Sequence, residues 1–265
     1  MEAIYISRAK YFNTSPTGFC LVNFFFYLYD IPSSSPVDIN KYKSQDRILV
    51  AVDCIIFGFD GKQLQALLIK RGFEPEMGRW SLMGGFTNHN ESTDEAAVRV
   101  LNQLTGMNNI YMEQLYCFSD VNRDPAGRVI SIAYFALINI ADYNEQMQFE
   151  HEARWFPLNK IPDLIFDHLE MVAKAKDRLQ QKVANHPIGF ELLPEKFTLP
   201  QLQNLYEAVY ESPLDKRNFT RKILALGILN RLDEKNKATS RKGAFYYVFD
   251  KKKYGKLSEV GVKFI

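Results

Sequence analysis

The chain has 265 residues, of which 46% are hydrophobic and 24% are charged, and its formal net charge is only +2. This composition excludes a disordered or fibrous protein and suits either two modest globular domains or one large domain. The three cysteines, Cys20, Cys54 and Cys117, are too widely spaced for a disulfide framework or a cysteine metal site, so we expect a reducing, cytoplasmic location.

Residues 1–46 differ in character from the rest and form an N-terminal extension whose role the sequence does not define. The apolar run from Phe19 to Tyr29 contains Asn23 and is too short to span a bilayer, so no membrane segment is expected. A signal-peptide core is an alternative interpretation, but nothing downstream has an extracellular character. Residues 31–36 (IPSSSP) predict a linker, and the extension is either an added strand or helix or the product of a start assigned too far upstream.

A strand-rich region follows, from Arg47 to Asn139. The segments AVDCIIFGF and LQALLIK flank Asp60 and Gly61, a strong turn dipeptide. Alternating apolar segments around such a turn predict a β-hairpin.

A glycine turn and a capped helix come next. Ser92 and Glu95 form a capping box, Asp94 adds negative charge to the first helical turn, and Gly106 predicts a left-handed end. Glu95 precedes Arg99 by four residues, which is the favourable order for an ion pair on a helix.

The segment from Gly84 to Met107 resembles the Nudix box, a pyrophosphate-hydrolase motif of fixed spacing. Six positions fit its register: Gly85, Glu91, Arg99, Leu101, Gly106 and Met107. The three helical glutamates that hold Mg²⁺ or Mn²⁺ in the family fall here on Val100, Gln103 and Leu104. Glu91 and one amide make a poor site for a hard cation, so we expect no metal, no cofactor and no catalytic residue. Glu91 is then expected to serve the turn and the start of the helix.

The Nudix resemblance implies an α/β/α sandwich over residues 47–184. Its later predicted elements are strands at 113–118, 128–140 and 153–158 and a long helix at 161–184. Asp167 and Glu170 form a plausible capping box for that helix. Residues 185–196 contain two prolines and a glycine and predict an interdomain linker.

Residues 197–254, followed by a tail at 255–265, have the element order of a winged helix: a helix, a short turn, a basic helix and a basic hairpin. Thr198 with Gln201 caps the first helix, and the second runs from Asp215 to Gly227. The polar segment DEKNKAT is predicted as the turn of the hairpin. The expected fold class is therefore α/β, a Nudix-like α/β/α sandwich followed by a winged-helix domain.

Positive charge is concentrated between Asp215 and Lys253, where twelve residues are Lys or Arg and four are acidic. This segment sums to +8 and the rest of the chain to −6. Such a block is typical of a polyanion-binding surface, and operator DNA is the expected partner; a solvated lysine-rich surface or a protein-interaction module is the alternative. With the second helix in the major groove and the hairpin along the phosphates, the expected contacts are Lys216, Arg217, Asn218, Thr220, Arg221, Lys222, Arg241 and Lys242.

Together the two domains resemble the Nudix-related transcriptional regulators, which join an effector-sensing, usually inactive Nudix domain to a DNA-binding domain. The resemblance covers residues 47–253. Within that family, the segments FEPEMGRWSLMGGF, NRDPAGRVISIAY and FTLPQLQNLYEAVY are most similar to the sugar-responsive branch of arabinose-type regulators. Other members of the family sense ADP-ribose.

The resemblance implies an effector site in the cleft beside the former catalytic helix. Its expected lining residues are Arg71, Glu74, Trp80, Asp124, Arg128 and Tyr134. Charged groups and an aromatic face suit a pentose such as arabinose, and the arginines could instead hold the phosphates of ADP-ribose. The alternatives are structural ion pairs for the arginines and core packing for the tryptophan.

The expected function is a homodimeric, ligand-responsive regulator, in the first instance a repressor, without a membrane partner. The alternative is an active hydrolase of a nucleoside diphosphate derivative such as ADP-ribose, with carboxylates recruited from Glu91, Glu95 or Asp120. The four histidines show no ligand spacing, and His89 is expected to be a solvated loop residue.

Overall fold

The structure, a computed structural model, describes residues 42–108, 110–143, 152–185, 192–237 and 242–253. The described residues from Arg47 onwards belong to one compact unit. The predicted linker at 31–36, the apolar run before it and the tail at 255–265 lie outside the described residues. Across the described part of the chain, no helix is long and apolar enough to cross a membrane.

A long strand, β1 (Leu49–Phe59), lies at the centre of a seven-stranded mixed sheet. The later strand β6 (Val129–Asn139) runs parallel to it along its whole length. The other edge of β1 is shared, antiparallel, by β2 (Leu64–Lys70) and β4 (Met83–Phe86). The β1–β2 pairing confirms the hairpin predicted around Asp60 and Gly61.

The remaining strands extend the sheet on both sides. Two short antiparallel partners, β3 (Trp80–Ser81) and β7 (Ala153–Pro157), pair with β2. On the opposite side, β5 (Glu113–Phe118) pairs with β6. A short helix, α2 (Ile140–Tyr143), and a 3₁₀ turn (Leu158–Lys160) follow β6 and β7 respectively.

Successive side chains of a strand point to opposite faces of the sheet. Because β1 carries apolar side chains on both faces, each face is covered by a helix. Cys54 and Ile56 pack towards α1 (Thr93–Thr105), whereas Ile55 and Phe57 pack towards α3 (His168–Asn185). This arrangement confirms the predicted α/β/α sandwich and explains why β1 is buried along almost its entire length.

Local capping signals set the ends of α1 as predicted. The Ser92 hydroxyl accepts from the Glu95 backbone N–H, and the Glu95 carboxylate accepts in return from Ser92. Gly106 ends the helix at φ 71°, a left-handed conformation that glycine adopts without strain.

The long helix predicted within residues 161–184 is present as α3, and it starts directly after Asp167, the residue predicted to cap it. Residues 161–167 are not helical, because Leu164 bridges Trp80 and the Ile165 N–H donates to the Trp80 carbonyl. The helix begins at His168. The Asp167 carboxylate accepts two hydrogen bonds from Arg123 rather than capping the helix.

The C-terminal part folds as a winged helix, as predicted. It consists of β8 (Phe197–Thr198), α4 (Leu199–Tyr210), α5 (Lys216–Ala225), β9 (Leu229–Asn236) and β10 (Ala244–Phe249). The three strands form one antiparallel sheet in the order β8-β10-β9. Thr198 caps α4 and Asp215 caps α5, but β9 continues into the DEKN residues that were predicted as a turn.

The sandwich and the winged helix share one hydrophobic core. Leu179 and Val183 of α3 belong to the same buried cluster as Leu205 and Tyr206 of α4. At the edge of this contact, Gln180 Nε2 donates to the α4 backbone, and a Lys176–Glu211 ion pair lies nearby. The predicted domain limits at 184 and 197 remain predictions.

Candidate effector cleft and DNA-binding surface

A cleft that is partly open to solvent lies where β1 meets β4, beside the last turn of α1. Polar groups form its floor and aromatic groups its rim. Among its lining residues are Asp53, Arg71, Phe73, Gly84, Gly85, Leu104, Arg123, Asp124, Phe166 and His168. Such a mixture of apolar walls and a few converging polar groups is typical of small-molecule sites.

The rim combines a cation with two aromatic rings. The Arg71 guanidinium carbon lies 3.9 Å from the Phe73 ring centroid and 5.3 Å from that of Phe166. Phe73 is 53% exposed, so one ring at the mouth is available to a ligand. The Asp124 carboxylate lies in the same cleft and accepts from the Ala126 N–H.

The floor holds a buried network of charges. Arg123 donates from Nε and Nη2 to the two oxygens of Asp167, at 2.9 and 2.7 Å, and Nη2 lies 3.6 Å from Asp53 Oδ2. The Ser131 hydroxyl donates to that same Asp53 oxygen at 2.6 Å. The paired arginine and the hydrogen bond from Ser131 make burial of the Asp53 carboxylate tolerable, whereas Asp167 remains partly exposed.

His168, the first residue of α3, completes the floor. Its Nδ1 accepts the Leu82 backbone N–H at 3.1 Å, and its Nε2 lies 3.6 Å from Asp53 Oδ1. Burial lowers the pKa of His168 below its usual value, so the ring is neutral near pH 7.

Arg99 joins the glycine turn to α1. Its Nε and Nη2 donate to both carboxylate oxygens of Glu91, at 2.8 and 2.6 Å, and its Nη2 also reaches the Phe86 carbonyl. The Arg99 partner lowers the pKa of Glu91 to about 2. Arg99 thus pairs with Glu91 rather than with Glu95, whose carboxylate is taken up by the capping box.

The residues at the three positions where the Nudix box has helical glutamates do not fit a Mg²⁺ or Mn²⁺ site. Val100 is buried against Gly85, Leu104 lines the cleft, and the Gln103 amide oxygen accepts from Arg99. Both oxygens of Glu91 are engaged by Arg99. Within the described ranges, no three His, Cys, Asp or Glu side chains are grouped as metal ligands would be.

Two of the six residues predicted for the effector site, Arg71 and Asp124, line this cleft. Glu74 is exposed in the loop between β2 and β3. Arg128 donates to the Ser119 and Asp120 carbonyls, which holds the loop after β5.

The two predicted aromatic residues lie outside the cleft lining. Trp80 packs edge-on against Phe156 at 4.8 Å, at the margin of the hydrophobic core. The buried Tyr134 donates its hydroxyl proton to the Asp94 carboxylate, and burial raises its pKa to about 12. The predicted effector roles of the four residues outside the lining stay untested predictions.

The floor residues were missed from the sequence. Asp53 did leave a signal, because it is the one charged residue in the apolar segment AVDCIIFGF and a buried charge needs a partner. The sequence gives no such signal for Arg123 and His168. Their proximity depends on how the loop after β5 and the start of α3 pack together.

The second helix of the winged helix presents the predicted basic surface. Lys216, Arg217, Asn218, Arg221 and Lys222 are exposed on α5, and Thr220 is half-buried. Within the described ranges, no carboxylate forms an ion pair with any of these basic groups. On the opposite face of the helix, Phe219 packs against Tyr206 at 5.2 Å between ring centroids. The helix therefore offers its polar side to a partner.

The hairpin carries a second basic cluster that was not singled out from the sequence. Arg231 and Lys235 of β9 lie 4.6 and 4.3 Å from the Phe245 ring centroid. Lys242 is exposed near the tip, whereas Arg241 lies outside the described residues. Cation–π contacts hold both cations in position on one surface.

Comparison with known proteins identifies both parts of the chain. The NUDIX domain profile matches residues 47–176, and the profile of the NrtR DNA-binding winged helix domain matches residues 189–249. A protein of Acinetobacter baylyi named "ADPR responsive transcriptional repressor NtrR" is 34% identical over 220 residues, which cover 81% of this chain and 88% of that protein. An ADP-ribose pyrophosphatase of Methanocaldococcus jannaschii is 37% identical over 145 residues, covering 55% of this chain and 81% of the enzyme.

A solved structure extends the likeness to three dimensions. The crystal structure of Shewanella oneidensis NrtR complexed with a 27mer DNA matches with a TM-score of 0.69 and 29% identity. The match covers 78% of this chain and 95% of that one. These similarities give no support to the sugar-responsive branch that the sequence segments favoured, and that assignment is corrected to NrtR-type regulators.

Proposed function

Because this chain belongs to the NrtR family, in which a Nudix domain precedes a DNA-binding winged helix, we propose that it is a transcriptional repressor whose affinity for operator DNA is controlled by ADP-ribose. The observation that carries the proposal is the likeness to an ADP-ribose-responsive repressor over both domains, across 88% of its length. The exposed basic face of α5 supports the DNA-binding half.

The chemistry of the cleft favours ADP-ribose over a free pentose. A guanidinium and an exposed aromatic ring at the rim, Arg71 and Phe73, suit a diphosphate and an adenine ring. A pentose such as arabinose could pack against the ring and hydrogen-bond to the guanidinium, but it has no negative charge to pair with Arg71. The polar groups at the floor of the cleft are then available to hydrogen-bond to the terminal ribose of ADP-ribose.

We also propose that the Nudix domain binds without hydrolysing. The support is the donor set at the former catalytic face, where two apolar side chains and one engaged amide replace three carboxylates. The likeness to an archaeal ADP-ribose pyrophosphatase favours hydrolysis as the second candidate, and it covers only the Nudix part of the chain.

A homodimer in the cytoplasm completes the proposal. Two winged helices related by a two-fold axis match a palindromic operator in both register and spacing. Sedimentation of the full chain with and without an operator duplex would measure its stoichiometry.

The deciding experiment measures DNA binding and turnover on the same preparation. A gel shift with DNA from the region upstream of the protein's own gene should show a complex that ADP-ribose dissociates and arabinose does not. Incubation with Mg²⁺ and ADP-ribose should leave the nucleotide intact. Turnover of roughly 1 s⁻¹ or more, typical of enzymes, together with an ADP-ribose-insensitive DNA complex, would overturn the proposal.

A further inference from the structure

Two buried polar groups at the floor of the cleft face each other without forming a hydrogen bond. Asp53 is 5% exposed and His168 is 3% exposed, and both line the cleft. Asp53 Oδ1 and His168 Nε2 are 3.6 Å apart, slightly beyond hydrogen-bonding distance. A hydroxyl oxygen that lies to one side of the pair, about 2.8 Å from each atom, can hydrogen-bond to both.

Backbone contacts determine which nitrogen of His168 carries the proton. Nδ1 accepts the Leu82 N–H at 3.1 Å, so it cannot itself be protonated in this arrangement. Burial lowers the pKa of His168, which keeps the ring neutral. The single ring proton therefore lies on Nε2, and the imidazole presents a donor to the floor of the cleft.

The Asp53 carboxylate presents the complementary acceptor. Its Oδ2 accepts from the Ser131 hydroxyl and lies near Arg123, which supplies the balancing positive charge. No donor in the described part of the chain reaches Oδ1 within hydrogen-bonding distance. One oxygen of a buried carboxylate is thus left for a ligand, and such a group is costly to leave unpaired.

We propose that Asp53 and His168 together bind one hydroxyl group of the terminal ribose of ADP-ribose. A hydroxyl donates one hydrogen bond and accepts others, so it can donate to Asp53 Oδ1 while accepting from His168 Nε2. A phosphate cannot, because it lacks a proton to donate near neutral pH and would be repelled by the carboxylate.

The confined floor favours the sugar end of the ligand. Gly84 is so close that a Cβ atom there would lie 2.2 Å from Asp53 Oδ1. A flat adenine ring finds more room at the rim, where Phe73 is exposed and Arg71 can meet the diphosphate. This assignment rests on the proposed function, since it takes ADP-ribose as the effector.

Isothermal titration of the full chain with ADP-ribose and with ADP tests the assignment, because ADP lacks the terminal ribose. The wild-type protein should bind ADP-ribose at least about 10-fold more tightly than ADP, the usual worth of one hydrogen bond to a charged group. His168→Asn retains an acceptor for the Leu82 N–H but removes the Nε2 donor. It should weaken ADP-ribose binding about 10-fold or more and change ADP binding less than about 3-fold.

Two further variants complete the set. Asp53→Asn removes the charged acceptor and should reduce the preference for ADP-ribose in the same way. His89→Asn, a matched histidine change at an exposed loop position, should leave both affinities unchanged. Thermal unfolding without ligand reports whether each variant is folded.

These titrations distinguish a failure of the proposed function from a failure of the ribose contact at Asp53 and His168. If the wild-type protein binds neither nucleotide, the proposed function and this assignment both fail. If it prefers ADP-ribose but His168→Asn and Asp53→Asn keep that preference, only the assignment is overturned. Should the variants not fold, analogues lacking one terminal-ribose hydroxyl are titrated against the wild-type chain. One of them must bind at least about 10-fold more weakly, and equal binding of all analogues refutes the assignment.

Discussion

Arg99 determines how the glycine turn and the helix after it are held together. Its guanidinium binds both oxygens of Glu91 and the Phe86 carbonyl, so it links the end of β4, the turn and α1. The two parallel hydrogen bonds to Glu91 form an arginine fork, which is a strong and geometrically specific form of ion pair.

The Glu91–Arg99 pair makes a pH-dependent contribution to stability. The folded-state pKa of Glu91 is depressed from 4.5 to about 2, so its stabilisation is complete above pH 4.5 and is lost as the pH falls towards 2. Glu91→Gln should therefore be less stable than the wild-type protein at neutral pH, and the difference should shrink progressively below about pH 5. Urea unfolding midpoints of both proteins between pH 7 and pH 3 measure this, and a pH-independent difference would contradict it.

Sequence reasoning succeeded for residues whose role depends on near neighbours and failed where the partner is distant in sequence. The structural role predicted for Glu91 follows from a turn and an arginine within eight residues. His168 acquires its role from Leu82, 86 residues away, and from Asp53 on a central strand. The interpretation of Trp80 as core packing was weighed in advance, but its partner, Phe156, could not be named.

Among the elements, α5 is the one whose sequence and surface agree most directly. Its capping residue, its two buried apolar side chains and its exposed basic face all follow from a helical period over ten residues. By contrast, the first seven residues of the segment predicted to carry α3 are not helical, because a backbone pairing with β3 holds residues 161–167 out of the helix. The strand β9 is longer than predicted because pairing with β10 outweighs the weak strand propensity of its polar residues.

Replacement of Arg217 or Arg221 by alanine tests the role of α5. Each change should weaken operator binding by about 1–3 kcal/mol if the side chain contacts a base. Fluorescence anisotropy with a labelled operator measures the effect. Arg154→Ala, an exposed arginine of β7 that pairs with Glu152, is the matched control and should bind normally. If both α5 variants bind the operator with wild-type affinity, these two arginines do not contact the DNA and the assignment of α5 as the recognition helix is wrong.

At the scale of the whole molecule, the near-neutral net charge conceals two oppositely charged regions. The segment from Asp215 to Lys253 carries +8 and the remainder −6. DNA binding by the positive region releases condensed counterions, whereas the negative remainder disfavours docking of the Nudix part against phosphates.

This separation predicts a steep salt dependence that originates in the winged helix. Replacing Arg231 or Lys235, the two cations beside Phe245, with alanine should lower the slope of log affinity against log salt concentration by about 1 each if each contacts a phosphate. Lys70→Ala, which removes a cation of β2 paired with Glu152, should leave the slope unchanged. Equal slopes for all four proteins would show that the hairpin does not contact the DNA.

One helix, α3, contributes to the cleft and also contacts the winged helix. His168, at the start of α3, forms part of the cleft floor, and Gln180, about 18 Å along the same helix axis, donates to the backbone of α4 in the winged helix. A ligand that displaces His168 would therefore act on the same helix that contacts the winged helix at Gln180. A single continuous helix therefore lies between the cleft and the winged helix. We expect substitutions along α3 to change how strongly the ligand affects DNA affinity, even where the substituted side chain contacts neither the ligand nor the DNA.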